Sequence, residues 1–219
     1  MESYPSFPKI PRLRRRAVIT EKIDGTNGLV AVAALGAGDD DGSVAVTWSA
    51  ATGSSIVTRG GILWEVRAGS RNRWLTPDND NYGFAAWVRD HAVSLSELGS
   101  GHHYGEWWGQ GIQRGYGLSE RRFSLFNASR WRELDADLAD DRIPAPSACG
   151  VVPVICQGIY ADALVDEALE YLRIGGSDAA PGWMRPEGVV VYHTQAKTSF
   201  KALLEHDDLP KGATAQAVA

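Results

Sequence analysis

Short, largely apolar runs bounded by turn residues recur along this chain and predict mostly strands. Residues 17–23 read as a strand, Asp24-Gly25-Thr26-Asn27 as turn chemistry, and Gly28 to Ala33 as a second strand. Gly36 to Gly42, with three consecutive aspartates, reads as a solvated hairpin tip followed by strands at 44–49 and 54–58. From Phe84 to Leu98 the period lengthens to that of a helix, with Phe84, Trp87, Val88, His91, Leu95 and Leu98 along one side. Short strands are expected at 103–108, 123–126 and 151–155. An amphipathic helix follows at 162–172, with Leu164, Ala168, Leu169 and Leu172 on its buried face. Glu187 to His193 has a continuous apolar centre, and Ser199 to Leu204 closes the series of strands. Many strands, few helices and no βαβ alternation predict an α+β domain built on antiparallel sheet.

Composition narrows the class. With 219 residues, 44% hydrophobic and 22% charged, the chain has the balance of a globular protein rather than a disordered or collagen-like one. No apolar run reaches the roughly 18 residues of a membrane span. Residues 1–11 lack the apolar segment of a secretory signal. Two cysteines, Cys149 and Cys156, make no disulfide framework, and both are expected as buried thiols. His102-His103 has no partner at metal-ligand spacing. A cytoplasmic setting with no membrane partner is therefore expected.

The net charge of −5 hides an asymmetry. Residues 1–132 carry 16 basic and 13 acidic groups, whereas residues 133–178 carry 2 basic and 10 acidic ones. Arginine outnumbers lysine 17 to 5 and clusters at Arg12, Arg14, Arg15 and Arg16, at Arg67, Arg71 and Arg73, and at Arg121 and Arg122. A guanidinium fork suits phosphate, although a coding bias toward arginine produces the same excess.

Lys22 opens the functional question, because an ammonium is costly to place inside an apolar strand. A partly desolvated lysine loses its proton more readily and becomes a nucleophile. Asp24 and a Gly25 turn follow, letting backbone approach a ligand. An edge-strand lysine facing solvent beside an ordinary hairpin turn is the other reading of these four residues.

The longer string Glu21-Lys22-Ile23-Asp24-Gly25-Thr26-Asn27 resembles motif I of the covalent nucleotidyltransferases, which include ATP-dependent DNA and RNA ligases and capping enzymes. Its ending is most similar to the RNA ligase 2 branch. Further resemblances follow in the family's order: Ser70 to Arg73 (motif Ia), Tyr104 to Gly109 (motif III), Phe123 to Asn127 (motif IIIa), Glu187 to Val191 (motif IV) and Phe200-Lys201 (motif V). The resemblance implies an antiparallel-sheet nucleotidyltransferase domain, similar to ATP-grasp-like ligase adenylation domains, over residues 17–205. A basic arm at 1–16 would precede it and a tail at 206–219 would follow.

It further implies that Lys22 takes AMP from ATP, with Lys201 at the α-phosphate. Glu21, Asp24, Gly25, Asn27, Arg71, Glu106, Phe126 and Glu187 would bind nucleotide, and Glu187 and Glu106 would support Mg2+ or Mn2+. Phe126 would stack on adenine. Taken singly, Glu106 and Glu187 read equally well as strand-start residues facing water, Phe126 as core and Arg71 as a solvated turn residue. In the tandem Trp107-Trp108, one ring is expected in the core and the other toward a cleft or interface.

The implied activity joins a 3′-hydroxyl to a 5′-phosphate in nicked or broken RNA, with an RNA–DNA hybrid or DNA as further substrates. Arg14, Arg15, Arg16, Arg121 and Arg122 would hold the phosphate backbone, and the acidic segment would face away. A GTP-using capping guanylyltransferase, a DNA nick ligase, and a nucleotide- or RNA-binding relic without sealing activity are the alternatives. Motif V departs from the family: Ser199 stands where a second lysine is usual, and Lys197 is displaced by four positions from Lys201. Only 18 residues follow Lys201, so no appended OB-fold or other clamp domain is expected, and a protein partner could replace it.

Overall fold

The computed structural model describes residues 7–39, 41–134, 141–205 and 207. In chain order the strands of the first half are β1 (Arg16–Lys22), β2 (Thr26–Ala37), β3 (Ala45–Ser49), β4 (Ser54–Arg59) and β5 (Ile62–Gly69). Two short helices follow, α1 (Phe84–Asp90) and α2 (Ala92–Ser96). Next come β6 (Gly101–Gly109), β7 (Arg121–Leu125), β8 (Trp131–Arg132), β9 (Ile143–Pro144), β10 (Gly150–Val151) and β11 (Val154–Ile159). Helix α3 (Asp162–Gly175) precedes β12 (Gly188–His193) and β13 (Thr198–Leu203). The fold is α+β and mainly antiparallel, as the hydrophobic pattern implies. No helix among the described residues is long and apolar enough to cross a membrane.

The chain divides into two compact units, Met1–Lys22 with Pro153–Ala219, and Ile23–Val152. The first unit is a four-stranded sheet in the order β11-β1-β12-β13. Alternation sends Ala17 and Ile19 of β1, with Val189 and Val191 of β12, to one face, where Ala168 and Leu172 of α3 close the core. Leu164 and Leu169 are only partly buried against it. The exposed carboxylates of α3 (Asp162, Asp166, Glu167 and Glu170) therefore lie on the helix side of this sheet. Of the rest of the acidic segment, residues 135–140 lie outside the described residues, as do residue 206 and residues 208–219 of the expected tail.

The second unit is a seven-stranded sheet in the order β10-β7-β6-β2-β5-β4-β3. Its core face carries Val30, Val32, Val66 and Ala68 and is covered by α1 and α2 through Phe84, Val88 and Leu95. Gly28 permits that contact, because a Cβ there would sit 2.8 Å from the Phe84 ring.

Four expectations need correcting. Strand β5 was not anticipated, although Arg59 and Ile62 pair across Gly60-Gly61. Both glycines have positive φ (58° and 67°), the requirement of a tight two-residue hairpin turn. The helix expected over 84–98 is instead two helices meeting at His91, whose φ of −109° is not helical. The buried stripe runs unbroken across that joint, so its period does not reveal the break. The strand expected at 151–155 is two strands in different sheets, separated by Val152 and Pro153. Thr26 and Asn27 already belong to β2, leaving the turn to Ile23, Asp24 and Gly25.

Candidate functional site

The sequence-derived site residues fall into two sets, one in each unit, and the chain passes from one unit to the other between Lys22 and Ile23. In the first unit Lys22 ends β1 and pairs in register with Gly188. Thr20 faces Val190, which faces Lys201 across the next ladder. Register partners in antiparallel sheet point to the same side, so Lys22 and Lys201 share the face opposite α3. The Lys22 ammonium donates to Glu187 Oε2 at 2.5 Å, with both side chains about one-fifth exposed (24% and 17%). Lys22 is thus neither an unpaired surface lysine nor a fully buried one, and Glu187 is its counter-ion rather than a strand-start residue facing water. Lys201 is exposed, as is Ser199 two residues before it on the same face.

Glu21 is placed differently from its expected role. Alternation turns its side chain to the core face, where it is 1% exposed. Its carboxylate accepts from Ser177 Oγ at 2.6 Å and from the Ala179 amide at 2.9 Å. Burial raises its pKa above the ordinary carboxylate range; the bonds from Ser177 and Ala179 oppose the rise. The carboxylate expected to bind nucleotide holds the segment between α3 and β12 instead.

In the second unit the Asp24 carboxylate accepts from Arg114 Nε at 3.1 Å, and the Asp24 amide donates to Tyr116 Oη at 2.7 Å. The next amide, of Gly25, donates to Glu106 Oε1 at 3.1 Å. A Cβ on Gly25 would lie 2.5 Å from the Trp107 carbonyl, so only glycine fits this approach. Asn27 faces Glu106 in register, and Glu106 faces Ser124, placing all three on the side of the sheet away from α1. Phe126 is 41% exposed, which removes the reading of it as core. Arg71 is exposed on the bend after β5.

Neither Arg114 nor Tyr116 was singled out from the sequence. They sit in the glycine-dense segment after β6, about ninety positions along the chain from their partner, and no local period encodes such a pair. Both tandem tryptophans are 2% exposed, against the expectation that one would line a cleft. Trp107 packs on Phe84 and Trp87, whereas Trp108 lies edge-on to Tyr116 and donates to Ser124 Oγ.

The arginines expected to hold phosphate differ among themselves. Arg14 and Arg16 are exposed, with Arg15 half-buried, and Arg16 donates to Gln157 at 2.6 Å. Arg121 donates to the carbonyls of Gln110 and Tyr82, and Arg122 is paired with Glu120. His103 is buried and bonded to the Gly99 carbonyl, a structural histidine. Cys149 is buried and its pKa is pushed up to about 12 by burial and by Glu133, so it is no nucleophile. Cys156 is only partly buried, a correction to its expected state.

No group of three or more His, Cys, Asp or Glu side chains among the described residues forms a metal cage. A hard divalent cation that keeps its waters and binds substrate phosphate needs only one or two carboxylates, and the partly exposed Glu187 is compatible with that.

A profile of the RNA ligase family matches residues 15–203, nearly the whole of both sets. The chain belongs to the RNA ligase family. Among solved structures, a substituted form of the Naegleria gruberi RNA ligase with ATP and Mn matches at 18% identity and a TM-score of 0.50, covering 88% of this chain and 51% of that one. Another substituted form with ATP and Mn matches at 16% identity and a TM-score of 0.46, covering 88% and 50%. At such identity the likeness is one of fold. This member of the RNA ligase family spans about half the length of the solved ligases it matches. No curated protein matches it.

Proposed function

We propose that this RNA ligase family member is an ATP-dependent RNA ligase acting through a lysyl–AMP intermediate on Lys22. The observation that carries the reading is the placement of Lys22. It is partly desolvated, shares the face of its sheet opposite α3 with Lys201, and is held by a carboxylate rather than left in solvent. The nitrogen lone pair attacks the α-phosphorus of ATP, the bond to the β-phosphate oxygen breaks, pyrophosphate leaves and the amine proton is released. Lys22 must be neutral to attack, so Glu187 has to let go of the ammonium before the phosphoramidate forms. Lys201 would neutralise charge developing on the phosphoryl oxygens.

In this reading Glu187 would hold Mg2+ or Mn2+, which when bound supplies further neutralisation of phosphate charge. Phe126 stacks on the adenine, while Asn27, Arg71 and Glu106 serve the nucleotide. Asp24 and Gly25 act through their bonds to Arg114, Tyr116 and Glu106, which set the backbone after the nucleophile. AMP then passes to a 5′-phosphate of RNA, and a 3′-hydroxyl displaces it to form the phosphodiester. Arg14, Arg15 and Arg16 bear on the polynucleotide phosphates.

Incubation with ATP labelled at the α-phosphate and Mg2+ should place label on the protein. The label should be lost in Lys22→Ala, and GTP should compete poorly for it. An adduct that survives Lys22→Ala would overturn the reading. Ser199, in place of a second motif V lysine, favours one rival: a protein that binds or even accepts AMP but does not seal. A panel of nicked RNA, hybrid and DNA duplexes separates the two, since the rival predicts label without any joined product.

A further inference from the structure

The sheet of the second unit carries an aromatic strip on the side away from α1 and α2. Tyr104 of β6 faces Leu29 of β2, which faces Gly69 of β5. At one end the Phe126 amide donates to the Tyr104 carbonyl, continuing the ladder past β7. At the other end Trp74 forms an isolated bridge with Gly69. A Cβ on Gly69 would meet Leu29 at 3.2 Å and the Trp74 ring at 3.4 Å, so Trp74 lies over the glycine beside Leu29.

Three rings therefore follow one another across four neighbouring strands, about 14 Å at ordinary strand spacing. Phe126, Tyr104 and Trp74 are 41%, 48% and 44% exposed, whereas Leu29 between them is buried. What the strip offers solvent comes from aromatic rather than aliphatic side chains.

The charge beside it is cationic. The Arg67 guanidinium lies 4.2 Å from the centre of the Trp74 ring, and its Nε is buried without a hydrogen-bond partner. Arg71, on the bend leading to Trp74, is exposed. No carboxylate among the described residues forms an ion pair with either arginine. Of the carboxylates on this face, Glu106 is turned to the Gly25 amide, Glu133 accepts from the Val151 amide beside β7, and Glu65 lies further along β5 from Trp74. Exposed rings on a sheet beside unpaired arginines suit a partner with flat faces and a negative backbone. Surface aromatics of a sheet can stack two or three unpaired bases, each stack being largely indifferent to sequence. The neighbouring arginines favour a partner that carries negative charge over an apolar protein segment.

We propose that Tyr104 and Trp74 form a base-stacking platform for an unpaired RNA segment, with Arg67 toward its phosphates and with Phe126 and Arg71 left to ATP. The proposal rests on the RNA ligase reading for the role of Phe126, and it adds to that reading where the polynucleotide's bases lie.

The test is the affinity of the full chain for a fluorescein-labelled oligoribonucleotide, read by anisotropy. Trp74→Ala and Tyr104→Ala should each weaken binding by roughly 10-fold, the size of one lost stack. Trp74→Phe should keep most of the affinity. Lys22 labelling by Trp74→Ala should proceed at the normal rate, which also shows that the variant is folded. Photocrosslinking of 4-thiouridine RNA to the unsubstituted protein should map to Tyr104 or Trp74.

RNA affinity unchanged in both alanine variants would overturn the platform, as would a loss equally large in Trp74→Phe or crosslinks confined to other segments. A protein that forms the Lys22 adduct yet binds RNA independently of Trp74 and Tyr104 refutes the platform alone. One that loses RNA affinity in these variants but never labels Lys22 refutes the ligase reading alone.

Discussion

The two units hold their candidate site groups differently. In the first, chemistry-bearing groups are held by short bonds: Lys22 by Glu187 at 2.5 Å, and the buried Glu21 by Ser177 and Ala179. In the second, backbone is held tightly around Asp24 and Gly25, while Phe126, Tyr104, Trp74 and Arg71 stay open to solvent. A reacting amine must be aimed, and a fixed counter-ion restricts its rotamers. Rings that recognise bases must stay exposed to receive them. On the proposed reading, the first unit positions a reaction and the second receives a ligand.

The largest effect that would break this comparison lies at the proposed nucleophile. Glu187→Ala should reduce Lys22 labelling by about 100-fold or more, the scale of a lost electrostatic partner in a phosphoryl-transfer site. Glu187→Gln should recover little of it. A variant that labels normally would show that the pair is only structural.

Gly25→Ala should come next, because its Cβ has no space against the Trp107 carbonyl. It should lower stability by about 1–3 kcal/mol in a denaturant melt. Unchanged stability would mean that the turn after Lys22 is looser than its contacts imply.

Glu21 offers a test by pH. Its pKa is raised on folding by burial, so the folded state holds its proton more tightly than the unfolded chain. The resulting stability is present in full below the unfolded carboxylate pKa and is lost as pH rises through the higher folded value. Melts across that window should therefore decline with rising pH more steeply for the natural protein than for Glu21→Gln. A difference of zero or of the opposite sign would remove the buried carboxylate from the account.

Smaller again is Phe126→Ala, expected to raise the ATP concentration for half-maximal labelling by about 5- to 30-fold, the size of one lost base–ring stack. Smallest is Arg122→Gln. With its guanidinium already paired to the exposed Glu120, it should change RNA affinity by less than about 3-fold, while Arg16→Gln should weaken it more. Equal losses would place both arginines on the polynucleotide.

Much of this was legible along the chain, and the gaps have physical causes. Strands β1 and β12 showed themselves as short apolar runs, and Lys22 through its misfit in such a strand. The Gly60-Gly61 turn carried a hairpin signal that was available but unread. Phe126 could not be assigned to core or surface from its neighbours, because alternation gives relative faces and not which face is covered. Glu21 was misplaced for a related reason: adjacent strand residues point to opposite sides, so Glu21 cannot accompany Lys22 with its side chain. Arg114 and Tyr116 left no trace, since nothing local links them to Asp24.

By itself the sequence determined the mixture of strands and helices, the order of the motif-like segments and the candidate nucleophile. Period, turn chemistry and residue type are local properties that survive in a linear string. Only the tertiary structure decided that Glu187 is the partner of Lys22, that Glu21 belongs to the core, and that three separated aromatics form one strip. Those facts depend on strand order and register, which bring residues from distant parts of the chain side by side.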